Sequence, residues 1–247
     1  MSLQVFSLPA RPSGLSNCLD ASLLTCPPED EGSLVVLFSG NRAAFCRPGD
    51  DAWVVQRCKT EGYDDEELSF REVLVCNGVF YCMVKRGMFD FVVMEINSDG
   101  SGTKLSFRFP GLLEHPDIYY PPSPRVMILM AEGCGEVYKF ELYLDVFNEK
   151  RVVGGVTWRL DFARMAWVKV KSLKGHVFFS CSCYSVSCHG ESYSGGLYFF
   201  LPGDNTLYFY RAEDATVTAM LPCSNLKTSW LDPFWILPCY PRFVLLA

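Results

Sequence analysis

The stretch from Trp158 to Leu173, WRLDFARMAWVKVKSL, predicts a strand, a tight turn and a second strand. After the turn, apolar and basic residues alternate from Trp167 to Lys171, as they do in a strand with one buried face. We expect Trp167 to be buried in the core and Lys169 to be exposed on the opposite face of that strand. This hairpin indicates a protein built from half-buried antiparallel strands.

A similar pattern, a polar turn followed by an aromatic residue and valines, recurs in DDAWVVQ (50–56), in MFDFVVME (88–95) and, more weakly, in residues 215–221. The aromatic residues Trp53, Phe91 and Trp167 are spaced by 38 and 76 residues, the second being twice the first. Repeats of about forty to fifty residues with several strands each are typical of propeller blades, because one such unit does not bury its apolar face alone. The repeat therefore predicts an all-β propeller.

The composition supports one folded domain with a substantial core. The chain has 247 residues, of which 49% are hydrophobic and 15% aromatic, so disorder is disfavoured and strands are favoured. The 22 basic and 28 acidic residues give a net charge of −6 without a basic stripe, so nucleic-acid binding is not expected. The acidic run from Glu61 to Glu67 is interpreted as a solvated loop rather than a docking site for a basic partner.

Targeting signals are weak. The final apolar segment is interrupted by Pro238, Pro241 and Arg242, and no other run is long enough to cross a bilayer, so no membrane association is expected. The first residues lack the charged start and apolar core of a secretory signal, and resemble an organelle transit peptide only faintly. We expect the protein in the cytoplasm, the nucleus or both, with organelle import as the minor alternative.

The twelve cysteines are scattered through strand-like segments, which predicts reduced, buried thiols rather than a disulfide framework. One cluster has the residue types of a zinc site: Cys181, Cys183, Cys188 and His189. Its spacing differs from the common paired arrangements, so no metal and no other cofactor are expected. The histidines at 115, 176 and 189 lie in dissimilar contexts, and the acidic pairs at 50–51 and 64–65 are interpreted as solvated turns. No catalytic residue is therefore predicted.

Turn signals divide the chain into four strand-rich units. Strands are predicted at 34–38, 42–46 and 52–57; at 73–76, 79–85 and 89–96, followed by 104–109; at 125–131, 136–143, 157–162 and 166–171; and at 176–181, 196–200, 206–210 and 216–221. Asn77-Gly78 between two apolar runs is the strongest hairpin signal. Residues 1–21 are predicted to be an irregular N-terminal segment, and residues 22–247 the propeller domain.

The aromatic residues fall into two groups. Those within strand patterns are predicted to lie in blade cores: Trp53, Trp158 and Trp167. Others lie in proline-rich segments where regular strands do not bury them, and these are candidates for binding a partner, with closure of the propeller as the competing role: Tyr119, Tyr120, Trp230, Phe234 and Trp235.

The chain resembles the plant KIB-type β-propeller family, a domain found in many F-box proteins. The resemblance rests on four segments in order, Leu34 to Val55, Val73 to Val93, Leu160 to Phe179 and the terminal WLDPFWILP. It covers about residues 22–240. It implies a β-propeller of four-stranded antiparallel blades, possibly small or incomplete, and it implies no active site.

The resemblance also implies a role in protein interaction, similar to that of the substrate-receptor propellers of F-box proteins. Residues 1–33 show no apolar residues at helical spacing, so we expect neither an F-box there nor direct binding to a Skp-type adaptor. Two alternatives stay open. The chain is a ligand-binding or enzymatic propeller that uses its central channel, or it is a truncated family member with little independent function.

Overall fold

Seventeen strands and no helix are found in the part of the chain that the structure describes. The computed structural model describes residues 8–12, 15, 21–24, 32–59, 70–86, 88–99, 102–108, 125–148, 151–173, 175–181, 184–190, 195–201, 204 and 206–220. The strands form four sheets, numbered here in chain order, and neighbouring strands in each sheet are hydrogen-bonded.

Sheets 1 to 3 are antiparallel meanders of four strands in chain order. Sheet 1 contains β1 (Ala21–Leu24), β2 (Val35–Ser39), β3 (Arg42–Cys46) and β4 (Val54–Arg57). Sheet 2 contains β5 (Phe70–Cys76), β6 (Val79–Arg86), β7 (Met88–Asp99) and β8 (Gly102–Arg108). Sheet 3 contains β9 (Arg125–Gly133), β10 (Glu136–Leu144), β11 (Val152–Asp161) and β12 (Ala166–Val170).

Sheet 4 has five strands in the order β14-β13-β15-β16-β17. These are β13 (His176–Cys181), β14 (Tyr184–His189), β15 (Gly196–Phe200), β16 (Leu207–Arg211) and β17 (Thr216–Met220). The β13–β15 pair is parallel, so β14 and β15 lie on opposite sides of β13. Gly175 precedes β13 and Gly190 follows β14, and a Cβ on Gly175 would lie only 2.6 Å from the Gly190 carbonyl oxygen, so this close approach requires glycine.

The hairpin expected at Asn77-Gly78 is confirmed. These two residues connect β5 to β6 with φ angles of 51° and 74°, as a two-residue turn with left-handed backbone requires. Cys134 and Gly135 connect β9 to β10 in the same way, with φ angles of 51° and 79°. The first two strands of sheets 2 and 3 are thus joined by equivalent turns.

The core lies between successive sheets. One cluster joins sheets 1 and 2 through residues such as Phe38, Phe70 and Phe107. A second joins sheets 2 and 3, and a third joins sheets 3 and 4. The inner strands β1, β5 and β9 contact each other in turn, and β14 contacts both β9 and β5. Face-to-face packing of consecutive four-stranded sheets is the architecture of propeller blades, so the expected fold class is confirmed.

Two strands were not predicted. No strand was predicted before residue 34, but Ala21–Leu24 pairs with β2 as the first strand of sheet 1. Tyr184–His189 forms β14, although its serine-rich alternation lacks the apolar residues of a predicted strand. In addition, β11 was predicted to begin at residue 157 but begins at Val152. The prediction missed its first residues because Gly154 and Gly155 interrupt the apolar pattern of the strand. The division at residues 21 and 22 stays a prediction.

The proposed equivalence of Trp53, Phe91 and Trp167 is wrong for Phe91. Trp53 immediately precedes β4 and Trp167 lies on β12, the outer strands of their sheets, whereas Phe91 lies on β7, a third strand. A third strand is rich in apolar residues because it has a neighbouring strand on each side. In β7 these residues are an aromatic residue followed by valines, which is the pattern that also marks β4 and β12. The strands that occupy equivalent outer positions in the four sheets are β4, β8, β12 and β17.

The orientation predicted for β12 is partly wrong. Trp167 is 3% exposed and Lys169 is exposed, as expected. However, residues two apart in a strand share a face, so Lys169 lies on the same face as Trp167 and not on the opposite one. It reaches solvent because β12 is an edge strand, whose one partner among the described strands is β11.

Candidate functional site

The five residues proposed to bind a partner lie outside the described residues: Tyr119, Tyr120, Trp230, Phe234 and Trp235. Their role stays a prediction. Of the three tryptophans assigned to blade cores, Trp158 and Trp167 are buried. Trp53 is only partly buried, and its indole nitrogen donates a hydrogen bond to the Pro9 carbonyl oxygen at 3.0 Å.

The most exposed large apolar side chain of the described residues is on the loop between β10 and β11. Phe147 is 97% exposed, and the adjacent Val146 is 52% exposed. We call these two residues the apolar tip. Burial of an aromatic side chain contributes strongly to binding at protein interfaces, so such a tip is a candidate anchor for a partner.

Hydrogen bonds hold the backbone of the apolar tip in place. The Phe147 amide donates to Asp145 Oδ1 at 2.9 Å, and the Asp145 amide donates to the Arg151 carbonyl oxygen at 2.8 Å. Arg151 in turn donates from its amide to the Asn148 carbonyl oxygen at 2.9 Å. These bonds fix the backbone at Asp145, Phe147 and Arg151, and the Phe147 side chain is left exposed to solvent.

A buried ion pair lies between sheets 2 and 3. Lys139 Nζ is 2.8 Å from Glu141 Oε1, and the two side chains are 4% and 1% exposed. Both residues are on β10, and because they are two apart, both point to the same face of sheet 3. The same Nζ lies 4.9 Å from the Trp167 ring and 5.6 Å from the Trp158 ring, so the ammonium is enclosed by two aromatic faces and one carboxylate.

This arrangement is structural rather than reactive. Burial lowers the pKa of Lys139, while the nearby Glu141 carboxylate opposes the shift. A lysine with a lowered pKa is a common nucleophile, but this amine is enclosed by its neighbours and does not reach solvent. The cluster fixes the packing of β10 against β11 and β12.

Glu72 is the described carboxyl group with the largest change in pKa. It lies on the inner strand β5, and its Oε2 accepts a hydrogen bond from the Met130 amide of β9 at 2.7 Å. Burial raises the pKa of Glu72 to about 8, and the hydrogen bond from Met130 opposes that shift. The contact satisfies an amide on the free edge of β9 and joins the inner strands of sheets 2 and 3.

Polar groups gather where the turns of sheets 2 and 3 meet. Asn77 Nδ2 donates to the Gly135 carbonyl oxygen at 3.1 Å, which docks one turn on the other. Beside them, Glu136 accepts hydrogen bonds from the Tyr138 hydroxyl at 2.6 Å and from Arg159 at 2.7 Å. Burial and the Glu136 carboxylate raise the pKa of Tyr138, so this phenol stays protonated. Each group has a partner within the cluster.

His176 and His189 were assigned to dissimilar contexts, but the structure brings them together. They are cross-strand partners on β13 and β14, with ring centroids 4.7 Å apart. His176 is buried beside Tyr138 and Phe178, whereas His189 is exposed. Sequence reasoning missed this pair because it did not predict β14. His115 lies outside the described residues.

The described cysteines are free, as expected, and four of them are buried: Cys46, Cys58, Cys76 and Cys82. Cys134 is an exception to the expected burial, since it is exposed in the β9–β10 turn. Burial, with a smaller effect of Asp50, raises the pKa of Cys46 to about 11. Within the described residues no group of histidine, cysteine or carboxylate side chains is arranged to hold a metal ion. Cys183 lies outside the described residues, so the expectation that the cluster of Cys181, Cys183, Cys188 and His189 holds no zinc stays a prediction.

The acidic pair at 50–51 lies in the turn that precedes β4. Asp50 Oδ2 accepts a hydrogen bond from the Arg47 amide at 2.7 Å, as expected of a solvated turn. The pair at 64–65 falls outside the described residues. In the described ranges there is no long apolar helix of the kind that crosses a membrane.

The comparison with known families identifies the fold. A family model described as KIB1-4 beta-propeller matches residues 1–227 of the chain. The chain belongs to the KIB1-4 beta-propeller family. No curated protein matches the chain. Family membership agrees with the four-stranded antiparallel sheets and supports a propeller domain, while leaving its activity and partners open.

Proposed function

We propose that this KIB1-4 propeller is a non-enzymatic protein-interaction module whose partner binds at the apolar tip. The observation that carries the proposal is the 97% exposure of Phe147 on a hydrogen-bonded turn. An exposed apolar side chain on a fixed backbone suits an interaction site, because the backbone there loses little conformational entropy on binding. Val146 beside it enlarges the surface that a partner buries.

The shape of the tip constrains the partner. A single protruding phenylalanine requires a concave apolar pocket on the partner. Arg151 lies beside the tip with a largely exposed side chain, 3.8 Å from Asp145, so an acidic rim on that pocket complements it. We propose that the partner is a protein with such a pocket, in the manner of the substrates of the related receptor propellers of plant F-box proteins.

Glu72 favours the rival function, an enzyme or ligand site at the inner strands, because strongly shifted carboxyl groups often mark active sites. The proposal assigns Glu72 a structural role instead. Its carboxyl group accepts a hydrogen bond from the Met130 amide, which otherwise lacks a strand partner on that edge of β9. This contact accounts for the position of Glu72 without a substrate.

Photo-crosslinking at position 147 tests the proposal. A photoreactive phenylalanine analogue replaces Phe147 in the full chain, and crosslinked proteins from native tissue are identified by mass spectrometry. The partner so identified is then purified, and its affinity for the natural chain and for Phe147→Ser is measured by titration calorimetry. We expect Phe147→Ser to weaken binding by about thirtyfold, as loss of a central aromatic anchor does.

Val79 provides the matched control. It is also exposed and apolar, but it lies at the β5–β6 turn, away from the tip. The photoreactive analogue at position 79 should not capture the same partner, and Val79→Ser should leave the affinity within about twofold. Equal capture at both positions, or unchanged binding of Phe147→Ser, contradicts the proposal.

A further inference from the structure

The four outer strands of the sheets differ in the charges that they carry. Exposed basic residues occur on three of them: Arg57 on β4, Lys104 and Arg108 on β8, and Lys169 on β12. β17, with the sequence TVTAM, carries no charged residue, and four of its five side chains are exposed. Charged residues on an edge strand prevent pairing with another edge, so three edges are protected and β17 is not.

In addition to these charges, a side-chain hydrogen-bond pair protects the edges of β4 and β8. Gln56 of β4 hydrogen-bonds to the backbone of Leu105 on β8, which joins the outer strands of sheets 1 and 2. β17 pairs only with β16 in the part of the chain that the structure describes. It is thus the outer edge best suited to accept another strand.

We propose that β17 pairs with β17 of a second copy of this chain, in antiparallel orientation about a two-fold axis at Thr218. Such a pairing places Thr216 opposite Met220 of the second copy, and Val217 opposite its Ala219. Thr218 lies opposite its own equivalent. Every pair is uncharged, whereas the same operation about the centre of β4, β8 or β12 places a basic residue of each copy in the contact, and charged residues on an edge strand oppose such pairing.

Exposed apolar side chains lie at both ends of β17 and complement each other in this dimer. Met220 is 39% exposed at one end. At the other end, Ala215 immediately precedes the strand, and its carbonyl oxygen lies 3.8 Å from the Cβ position of Gly154 on β11. Val153, the residue before Gly154, is therefore close to the start of β17, and it is 57% exposed. The two-fold axis brings Met220 of each copy towards the Val153 end of the other. Both apolar groups lose solvent contact in one step.

The size of the contact sets its strength. A five-residue strand and two pairs of apolar side chains bury less area than the roughly 800 Å² per partner of a stable interface. The dimer is therefore weak, with a dissociation constant on the order of 100 µM. Phe147 lies on the β10–β11 loop, which precedes Val153 in the chain, and it takes no part in the pairing. The proposed dimer therefore does not depend on the proposed function.

Sedimentation velocity with the full chain tests the dimer. Between about 5 and 500 µM the natural chain should shift from monomer to dimer, as a dissociation constant near the middle of that range requires. Thr218→Lys, which places a lysine opposite its equivalent at the two-fold axis, should weaken dimerisation about tenfold or more. Val55→Lys on exposed β4 is the control and should dimerise like the natural chain, and circular dichroism should show both variants folded.

A charge-reversed pair makes the test specific. Thr218→Glu alone should also dimerise about tenfold more weakly than the natural chain, but an equimolar mixture of Thr218→Lys and Thr218→Glu should form a heterodimer, because opposite charges then meet at the axis. Phe147→Ser should dimerise normally. A natural chain that stays monomeric at 500 µM, or a mixture that does not associate, overturns the proposal.

Discussion

The side-chain amide of Gln56 on β4 makes hydrogen bonds to both backbone polar atoms of Leu105 on β8. Gln56 Nε2 donates to the Leu105 carbonyl oxygen at 2.5 Å, and the Leu105 amide donates to Gln56 Oε1 at 3.0 Å. The amide thus replaces the peptide group of a neighbouring strand. It satisfies the edge of β8 and connects sheets 1 and 2 outside their apolar core.

Removal of this amide should destabilise the domain. Gln56→Ala leaves two partly buried backbone groups without partners, so we expect a loss of about 1–3 kcal/mol in the free energy of unfolding. Asn97→Ala is the control, since Asn97 bonds to the Ser106 hydroxyl on an exposed surface and its loss should cost about 0.5 kcal/mol or less. Urea titration followed by circular dichroism measures both. Equal losses in the free energy of unfolding would show that the two Gln56 hydrogen bonds stabilise the domain no more than the exposed Asn97 hydrogen bond does.

Trp167 and Lys169 provide a second comparison on one strand. Trp167→Ala removes a buried indole between sheets 2 and 3 and should cost about 3–5 kcal/mol. Lys169→Ala changes an exposed edge residue and should stay within about 0.5 kcal/mol. The measurement is again the denaturant midpoint. Small, similar effects would contradict the observed burial of Trp167.

The buried ion pair predicts a non-additive result. Lys139→Met leaves the Glu141 carboxylate buried without its cation and should cost about 3–5 kcal/mol. The double variant Lys139→Met/Glu141→Leu removes both charges, so it should recover most of that loss. A double-mutant cycle in urea measures the coupling. If the double variant is as unstable as the sum of the single ones, the two charges do not stabilise each other.

Glu72 predicts a defined pH dependence. Its pKa is raised from 4.5 to about 8 in the folded chain, so the folded state binds more protons than the unfolded state between these values. The contribution of Glu72 to stability is complete below about pH 4.5 and is lost as pH rises towards 8. Glu72→Gln keeps the acceptor for the Met130 amide but does not titrate.

The natural chain should therefore lose stability relative to Glu72→Gln as pH rises from 5 to 9. Urea titrations of both proteins at pH 5, 7 and 9 measure the difference, and this subtraction removes the effect of the other titratable groups. A difference that does not change with pH would mean that Glu72 titrates normally.

Strand positions were largely predictable because turn chemistry marks their ends. Asn77-Gly78 and the turn after Asp161 are read directly from residue type, and the strands that flank them are rich in apolar residues. β1 and β14 escaped prediction for a physical reason. Inner strands contact one another at the centre of the fold, and that environment accepts short or serine-rich segments that carry no alternation of their own.

The candidate site was harder to predict than the fold. Phe147 is one apolar residue in a polar loop, and only the structure shows that hydrogen bonds hold it out of the core. The Lys139–Glu141 pair looks in sequence like two exposed charges on β10, because alternation does not say that a tryptophan of β11 and one of β12 enclose the ammonium.

The parallel pairing of β13 with β15 has a consequence for synthesis on the ribosome. In sheets 1 to 3 each strand pairs with the one made just before it, so each sheet closes as soon as its last strand emerges. In sheet 4, β15 pairs in parallel with β13 and not with β14, the strand made just before it, so a loop that contains β14 closes between the two partners. Closing that longer loop costs entropy before any contact is gained, so we expect sheet 4 to be the last and slowest part of the protein to form.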